Sequence, residues 1–238
     1  MRFCFTETQK DYIIGKWGNE YLAKMQNHIR IFTQKWRLTD FEFAEFSSHN
    51  VILYCNSELY GYCVLKLYGL NSEYNALREF SYSGKFCKVY CFDKETKVLL
   101  IERILPGIML KDEPSLDKKL LVFAEMYRGL HIVPENLSIY PSYKKLLSSV
   151  VEAMKTSGNK ELLAHAQKAN DIFSIIASDY SEEVLLHWDL NNKNILLDKN
   201  GQYRIIDPMG VVGYPVLDVG RFIAKECYDV PENRMAIV

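Results

Sequence analysis

The chain has 238 residues, 48% of them hydrophobic and 25% charged, with a formal net charge of −1 at pH 7. This balance is typical of a globular protein, and the near-zero charge excludes the basic field that attracts nucleic acid or an anionic membrane surface. Six scattered cysteines without a C-x-x-C pair disfavour a disulfide scaffold or a zinc site. No apolar run approaches the roughly 18 residues of a membrane span. We therefore expect a cytoplasmic protein, a monomer or a homodimer, with neither nucleic acid nor a membrane as its partner.

The first half of the chain changes from a helical to a strand-like period near Leu38. Before this point, apolar residues three or four positions apart predict one helix: Trp17, Tyr21, Met25, Ile29, Phe32 and Trp36. After it, five apolar runs predict strands: "FEFAEF", "NVILYC", "YGYCVLKLY", "KFCKVYCF" and "KVLLIERI". Between the third and fourth runs, "NSEYNALREF" predicts a helix with Asn71 or Ser72 as its N-cap. We expect an α+β lobe over residues 1–103, built on a five-stranded antiparallel sheet.

The second half, residues 104–238, is predicted to be mainly helical. A hinge is expected near Glu102–Gly107, and the first helix of this half runs from about Leu116 and stops before Pro134. Three more helices are predicted from "PSYKKLLSSVVEAMK", "NKELLAHAQKANDIFSIIAS" and "PVLDVGRFIAKECY". The runs "NILLD" and "YRIID" predict two short strands joined by a turn at "DKNG". The expected fold class is therefore α+β with two lobes.

The polar residues around these two short strands form the main functional signal. If the strands pair as a hairpin, Asn194 and Asp207 lie at the same end, and Asp189 on the preceding loop joins them. Amide and carboxylate oxygens of this kind hold Mg²⁺, while a second carboxylate can accept a hydroxyl proton. Taken singly, each residue has a simpler interpretation as a turn or helix cap, which is the one we give to Asp198. The three in this order favour phosphoryl transfer, with Asp189 as base and the other two as metal ligands.

A cation for the phosphates of a nucleotide is expected in the first lobe. Lys66 lies in the apolar run "YCVLKLY", where a lone lysine needs a partner or a ligand. Glu73 on the following helix is the first choice of partner, and Glu79 is the second. The simpler alternative is that Lys66 faces solvent from an edge strand.

With these residues in place, the chain resembles a known family. The segments "LLIERILPG", "HWDLNNKNILLD" and "IIDPMGVVGYPVLDVGRF" are similar to the aminoglycoside phosphotransferases of the protein-kinase-like fold. The most similar group is that of the streptomycin 6-phosphotransferases and hydroxyurea phosphotransferases. The resemblance covers most of the chain from about Phe41 to Ile223 and implies a bilobal kinase-like unit whose first lobe binds the nucleotide.

The resemblance also implies the cofactors and the roles of individual residues. The cofactors would be ATP, with GTP left open, and Mg²⁺ held by Asn194 and Asp207. Asp189 would be the catalytic base, and Asp218 would brace its loop. The nucleotide would be bound by the remaining residues of the pattern: Lys66 with Glu73 on the α- and β-phosphates, Ser47, Ser48, His49 and Asn50 in a phosphate-covering turn, and Glu102–Ile104 in a hinge that hydrogen-bonds adenine.

Two departures from the family pattern concern the acceptor. Position 188 is Trp where the family most often has Gly, and only 16 residues follow from Ile223 to Val238. The short end is consistent with a shortened chain, a degraded gene product or a kinase with an open acceptor side. From Asp179 onward, ten acidic residues outnumber six basic ones, which weakly favours a cationic acceptor.

We expect the acceptor to be a small molecule with a hydroxyl group, either a streptomycin-like aminoglycoside or hydroxyurea. The alternatives are a kinase of a cellular metabolite, and a weakly catalytic pseudokinase or truncated relic that still binds nucleotide. A metal-dependent hydrolase is disfavoured because it leaves Lys66 and the first lobe without a role.

Overall fold

A computed structural model describes residues 3–46 and 51–231 of the chain. The helices are α1 (Glu7–Trp17), α2 (Asn19–Lys35), α3 (Asn71–Phe80), α4 (Leu116–Tyr127), α5 (Tyr143–Ser157), α6 (Lys160–Ser178) and α7 (Val216–Asp229). The strands are β1 (Leu38–Phe46), β2 (Val51–Ser57), β3 (Gly61–Leu67), β4 (Val89–Asp93), β5 (Val98–Glu102), β6 (Pro106–Met109), β7 (Val184–Leu186), β8 (Ile195–Asp198), β9 (Tyr203–Ile205) and β10 (Val211–Gly213). Among the described residues, no helix is both long and apolar enough to cross a membrane.

The chain divides into two compact units. The first unit consists of the chain up to Tyr74 together with Cys87–Ile104. The second consists of Asn75–Phe86 and the chain from Leu105 onward. The expected α+β fold, with an antiparallel sheet in one part and a mainly helical second part, is confirmed.

The first unit is built on the predicted five-stranded antiparallel sheet, whose strand order is β1-β2-β3-β5-β4. Alternate residues of the central strands point to one face, as the two-residue period of a strand requires. That face packs against α1 and α2 in an apolar core, which includes Ile13, Met25, Phe32, Leu53, Leu65 and Leu100. The residues between them, including Lys66, point to the opposite face of the sheet.

The helix expected from the apolar period between Trp17 and Trp36 is α2, and it is preceded by a helix that was not predicted, α1. They meet at Gly18, whose φ of +90° serves both as the C-cap of α1 and as the N-cap of α2. Glycine adopts positive φ without a Cβ clash, so the helical pattern can change direction there. The start of α1 is fixed by a capping box in which Thr6 and Gln9 each hydrogen-bond the other's backbone N–H.

The second unit combines helices α4–α7 with two small sheets, ordered β6-β8-β9 and β10-β7. The predicted hairpin of β8 and β9 is present, with Ile195 opposite Ile205. Strands β6, β7 and β10 were not predicted, because they are as short as β8 and β9 but pair with strands distant in the sequence, so that no turn residues mark them as a hairpin. The "LPG" segment lies in the expected hinge, and its last two residues are the first two of β6, which pairs with β8.

The segment 75–86, which the sequence analysis placed in the first lobe, makes its contacts within the second unit. Ile205 donates its backbone N–H to the carbonyl of Lys85 at 2.8 Å. The Lys85 ammonium in turn binds the last carbonyls of α4, those of Glu125, Met126 and Arg128. Lys85 thus caps α4 through its side chain and extends the β8–β9 sheet through its backbone.

Candidate active site

Lys66 and Glu73 form a buried ion pair in the first unit. The Lys66 ammonium lies 2.6 Å from Glu73 Oε1, and their side chains are only 5% and 9% exposed. The helix α3 begins at Asn71, so Glu73 stands in its first turn, where a carboxylate is favoured by the helix dipole. The pairing follows the first choice made from the sequence; the role of Lys66 toward a nucleotide stays a prediction.

The position of Lys66 in the sheet excludes the simpler interpretation of an edge-strand lysine. Strand β3 lies between β2 and β5, with Lys66 opposite Ile52 on one side and Leu99 on the other. Residues in register across a sheet share a face, so Lys66 stands between two buried aliphatic side chains. A lysine in such a place must keep its charge compensated, which the ion pair with Glu73 does.

Of the other predicted nucleotide-binding residues, Glu102 and Ile104 lie within the described residues, whereas Ser47 and Ser48 do not. Glu102 ends β5, and its backbone N–H and carboxylate bind the backbone of Lys88 at 2.8 and 3.1 Å. Ile104 is buried shortly after it. Ser47 and Ser48 lie outside the described residues, together with His49 and Asn50, so the expected phosphate-covering turn stays a prediction.

In the second unit, the β8–β9 hairpin brings Asn194 to the neighbourhood of Asp207. Ile206 donates its backbone N–H to the carbonyl of Asn194 at 3.0 Å, immediately before Asp207 in the chain. Asp198 is a turn residue, because its Oδ1 accepts the N–H groups of Asn200 and Gln202. These bonds, that from Gln202 above all, hold the pKa of Asp198 below its usual value.

Asp189 is held from two sides. The side-chain amide of Asn194 donates to Asp189 Oδ2 at 3.0 Å and to its main-chain carbonyl at 2.9 Å. Arg221, on α7, donates to Asp189 Oδ1 from Nε at 2.9 Å and from Nη2 at 2.6 Å. The carboxylate is therefore fixed in direction while 31% of the Asp189 side chain stays exposed. Sequence reasoning missed Arg221, although it stands three residues after Asp218 and so on the same face of a helix.

Asp218 braces the loop of residues 187–194, which we call the 187–194 loop. It is fully buried, and its carboxylate accepts the backbone N–H groups of His187 at 2.9 Å and Trp188 at 2.8 Å. His131 lies 3.0 Å from the same carboxylate. A buried carboxylate with several donors is stable only when these stay in place, so Asp218 couples α7 to the loop.

His187 holds the same loop as a neutral side chain. Its Nε2 donates to the carbonyl of Ile206 at 2.9 Å, and its Nδ1 accepts the backbone N–H of Asp189 at 3.2 Å. Burial holds the pKa of His187 below its usual value, against the opposing effect of Asp218. His187 therefore orients the loop, and both of its ring nitrogens are already engaged.

Two residues of this region have backbone angles that suit glycine. Trp188 has φ +71° and Asp207 has φ +59°. A left-handed conformation costs a residue with a Cβ roughly 1–2 kcal/mol, and Asp tolerates it better than a bulky aromatic residue. Strain of this kind is kept only where the surrounding contacts compensate for it, and it clusters at functional sites.

A buried polar network supports the loop from behind. Lys119 on α4 lies 2.9 Å from Glu226 Oε1 on α7, and Glu226 Oε2 accepts from the side-chain amide of Asn192 at 2.6 Å. All three residues are buried. No motif pointed to this network, because Lys119 and Glu226 are 107 positions apart.

The donor set fits a magnesium ion better than a zinc-type centre. Among the described residues there is no group of three or more His, Cys, Asp or Glu that could hold a metal. The Asn194 amide nitrogen donates to Asp189, which leaves its oxygen as the atom that would bind a cation. Asp207 directly follows Ile206, whose backbone N–H binds the Asn194 carbonyl, so its carboxylate would be the second ligand. One amide and one carboxylate oxygen suit Mg²⁺, which keeps waters and phosphate oxygens as its other ligands.

Comparison with known proteins shows that the chain is a small-molecule kinase of the protein-kinase-like fold. A model of the aminoglycoside/hydroxyurea antibiotic resistance kinases matches residues 82–233, more than half of the chain. The chain belongs to this family. Its members are small-molecule kinases with hydroxyl acceptors, and the matched part contains the 187–194 loop and Asp207 but not Lys66. No curated protein sequence matches the chain.

Solved structures share the fold at low sequence identity. Choline kinase LicA from Streptococcus pneumoniae has a TM-score of 0.65 and 17% identity, covering 89% of this chain and 78% of its own. A thermostable mutant of the aminoglycoside phosphotransferase APH(4)-Ia, solved with ADP and hygromycin B, has a TM-score of 0.60 and 17% identity, covering 83% and 76%. The streptomycin–ATP complex of APH(2")-IIa has a TM-score of 0.54 and 16% identity, covering 81% and 73%. At these identities the likeness concerns the fold alone.

Proposed function

We propose that the chain transfers the γ-phosphate of ATP to a hydroxyl group of a small molecule, with Mg²⁺ as cofactor. The observation that carries this proposal is the arrangement at Asp189, whose carboxylate is fixed by Asn194 and Arg221 and stays partly exposed. A carboxylate so held can orient and deprotonate an alcohol. Membership of a kinase family supports the same reaction.

Each residue then has a chemical task. Asp189 Oδ2 accepts one hydrogen bond from Asn194 and has capacity for a second, which we assign to the acceptor hydroxyl. As the new O–P bond forms, the hydroxyl proton passes to Asp189 and the bond to the leaving ADP breaks. Lys66, kept charged by Glu73, binds phosphate oxygens of the nucleotide. Asn194 and Asp207 would hold Mg²⁺, which supplies positive charge to the phosphates.

The description of the family names the first acceptors to test. Aminoglycosides and hydroxyurea both offer hydroxyl groups, and the family description includes both. Solved relatives of the fold bind hygromycin B or streptomycin, which makes an aminoglycoside a reasonable first acceptor. A kinase of a cellular small molecule stays an alternative.

The test is Mg-ATP consumption with a panel of streptomycin-like aminoglycosides, hydroxyurea and cellular sugars or amino alcohols. Acceptor-dependent ADP release that falls by about 10²–10⁴-fold in Asp189→Asn supports the proposal. Asp179→Asn, a change at an exposed residue that ends α6, serves as the matched control and should keep the activity.

Nucleotide binding is measured separately by calorimetry with and without Mg²⁺. Tight binding without turnover on any acceptor would favour the nucleotide-binding relic over the kinase. The absence of any Mg²⁺-dependent binding of ATP would contradict both.

A further inference from the structure

A cavity of about 540 Å³ lies within the second unit. Its lining includes Tyr143 from α5, Ile176 from α6, Trp188 from the 187–194 loop, and Leu217 and Arg221 from α7. This volume falls in the range of cavities that bind small molecules, roughly 300–1,000 Å³. Three helices and a loop thus line an open cavity of the size that one organic molecule needs.

The cavity adjoins Asp189 on two sides. Trp188, part of its lining, directly precedes Asp189 in the chain, and Arg221, also part of the lining, donates two hydrogen bonds to Asp189 Oδ1. Two residues of the lining are thus directly connected to Asp189, the carboxylate that we assign as the base, one through the chain and one through its hydrogen bonds. This adjacency distinguishes it from a cavity elsewhere on the surface.

Trp188 is the unusual residue of this lining. Its φ of +71° suits glycine, yet the position carries the largest side chain, and its ring meets Tyr143 edge to face at 4.9 Å between centroids. A bulky residue retained in a strained conformation indicates that the side chain itself is needed. What this side chain provides here is an aromatic wall of the cavity.

The charge of the lining opposes a cationic occupant. Of the residues that line the cavity in the described part of the chain, Arg221 is the single charged one, and the others are apolar or aromatic except for Gly220. An amine entering the cavity would lose its hydration and meet a guanidinium without a carboxylate in the wall. Asp189 offers little compensation, since Arg221 already pairs with it.

We infer that this cavity binds the body of the phosphate acceptor, which is a neutral hydroxyl compound with an aromatic or aliphatic body, and that Trp188 selects it. The inference rests on the proposed function and narrows its acceptor. It predicts that neutral alcohols are better acceptors than polycationic aminoglycosides. The excess of acidic residues from Asp179 onward had instead favoured a cationic acceptor.

The first experiment measures binding through Trp188 fluorescence, with two probes matched in shape. These are 2-phenylethanol, which is neutral, and 2-amino-2-phenylethanol, which keeps the same primary hydroxyl group and carries an ammonium group at pH 7. The difference between wild type and Trp188→Phe isolates the Trp188 signal from Trp17 and Trp36. We expect 2-phenylethanol to change that signal with a dissociation constant on the order of 1 mM, and the cationic probe to bind about tenfold more weakly.

The second experiment measures acceptor-dependent ADP release with the same two probes and with streptomycin. Trp188→Gly, which removes the ring and suits the backbone angle, should raise the KM for 2-phenylethanol by about tenfold or more, while Trp188→Phe keeps it within about threefold. Val219→Asp, which places a carboxylate in the lining, should shift the preference toward the cationic probe. In each variant the KM for Mg-ATP should be unchanged.

Several outcomes would overturn the inference. They are equal or tighter binding of the cationic probe, preferred phosphorylation of streptomycin, and an unaltered acceptor KM in Trp188→Gly. A Trp188 signal that ignores both probes but changes when the chain is cut after Val230 would show that the cavity belongs to the C-terminal segment. If Mg-ATP binds and the paired change Lys66→Met/Glu73→Leu abolishes that binding, these failures leave the proposed function standing. If Mg-ATP does not bind to the wild type, the proposed function itself fails.

Discussion

Within the residues that the structure describes, each unit contains a buried lysine–glutamate pair, and we propose different roles for the two pairs. In the first unit, Lys66 and Glu73 join a central strand to the first turn of a helix, with side chains 5% and 9% exposed. In the second unit, Lys119 and Glu226 join two helices, with side chains 7% and 0% exposed. The chemistry and the burial are nearly the same.

What differs is the direction of the remaining contacts. Glu226 uses its second oxygen to hold Asn192 of the 187–194 loop, so the second pair is a structural support for that loop. Lys66 stands on the face of the sheet opposite the core packed against α1 and α2, and we propose that it binds nucleotide phosphates there. A buried ion pair is thus not by itself evidence of a binding site, and its surroundings decide the role.

The largest expected effect is on the stability of the second unit. Lys119→Met leaves Glu226 buried without its cation, and we expect the free energy of unfolding to fall by about 3–5 kcal/mol. Urea unfolding followed by Trp188 fluorescence measures it. Lys118→Met is the matched control, because Lys118 pairs with Glu113 at the surface, where solvent screens the interaction, and its loss should change the stability little. Equal losses in the two variants would contradict the structural role of the Lys119–Glu226 pair.

The next effect separates the two pairs by function. Replacing both partners with apolar residues, as in Lys66→Met/Glu73→Leu, avoids an unpaired buried charge and should leave stability near that of the wild type. Turnover should nevertheless fall by about 10²–10³-fold, since a phosphate-binding cation is lost. Stability is followed by urea unfolding and turnover by ADP release with a saturating acceptor.

The corresponding change in the second unit, Lys119→Met/Glu226→Leu, provides the comparison. It removes the partner of the Asn192 amide, and we expect a residual loss of about 1–3 kcal/mol. ATP binding should be retained. Loss of ATP binding in this variant, or retained turnover in the first, would reverse the assignment of the two pairs.

A smaller effect on stability is expected from replacing one glycine in each unit by alanine, because the space around the two glycines differs. A Cβ on Gly213 would lie 3.0 Å from Leu186, 3.1 Å from Leu217 and 3.2 Å from Tyr143, so Gly213→Ala should cost about 1–3 kcal/mol. Gly15 in α1 has no heavy atom within 4 Å of its Cβ position, and Gly15→Ala should stabilise the helix by about 0.5–1 kcal/mol. Thermal unfolding of both variants measures the difference, and a stabilised Gly213→Ala would show that the packing can adjust.

The smallest effect is a pH dependence carried by histidine. Burial holds the pKa of His187 below the value of 6.5 for a free histidine, so the unfolded chain takes up a proton that the folded chain excludes. The stability linked to His187 is therefore fully present above pH 6.5 and is lost as the pH falls through the lower folded pKa. The slope is at most about 1.4 kcal/mol per pH unit for one proton.

This dependence is measured as the difference between wild type and His187→Gln in urea unfolding from pH 7.5 down to about pH 5. The pKa of His28 in the first unit is also lowered by burial, and His28→Gln should remove a similar but separate contribution. His165→Gln is the control, because that side chain is 73% exposed. An unchanged slope in His187→Gln would mean that the buried ring is protonated in the folded state.

The amino-acid sequence by itself determined those features of the protein that depend on residues close together in the chain. The five strands of the first unit, helices α3–α7 and the β8–β9 hairpin follow from periods and turn residues that act within about a dozen positions. The order of Asp189, Asn194 and Asp207 also predicted the family, because the residues lie on one short hairpin and its preceding loop. Lys66 was recognised for a similar reason, as a charge inside an apolar run.

Tertiary structure alone decided the contacts that join distant positions. It placed Arg221 on Asp189, 32 residues away, buried Lys119 beside Glu226 at a separation of 107, and made Trp188 a wall of the cavity. It also moved segment 75–86 into the second unit. Such contacts leave no period in the sequence, because the free energy of each depends on burial and on partners that only the folded chain brings together.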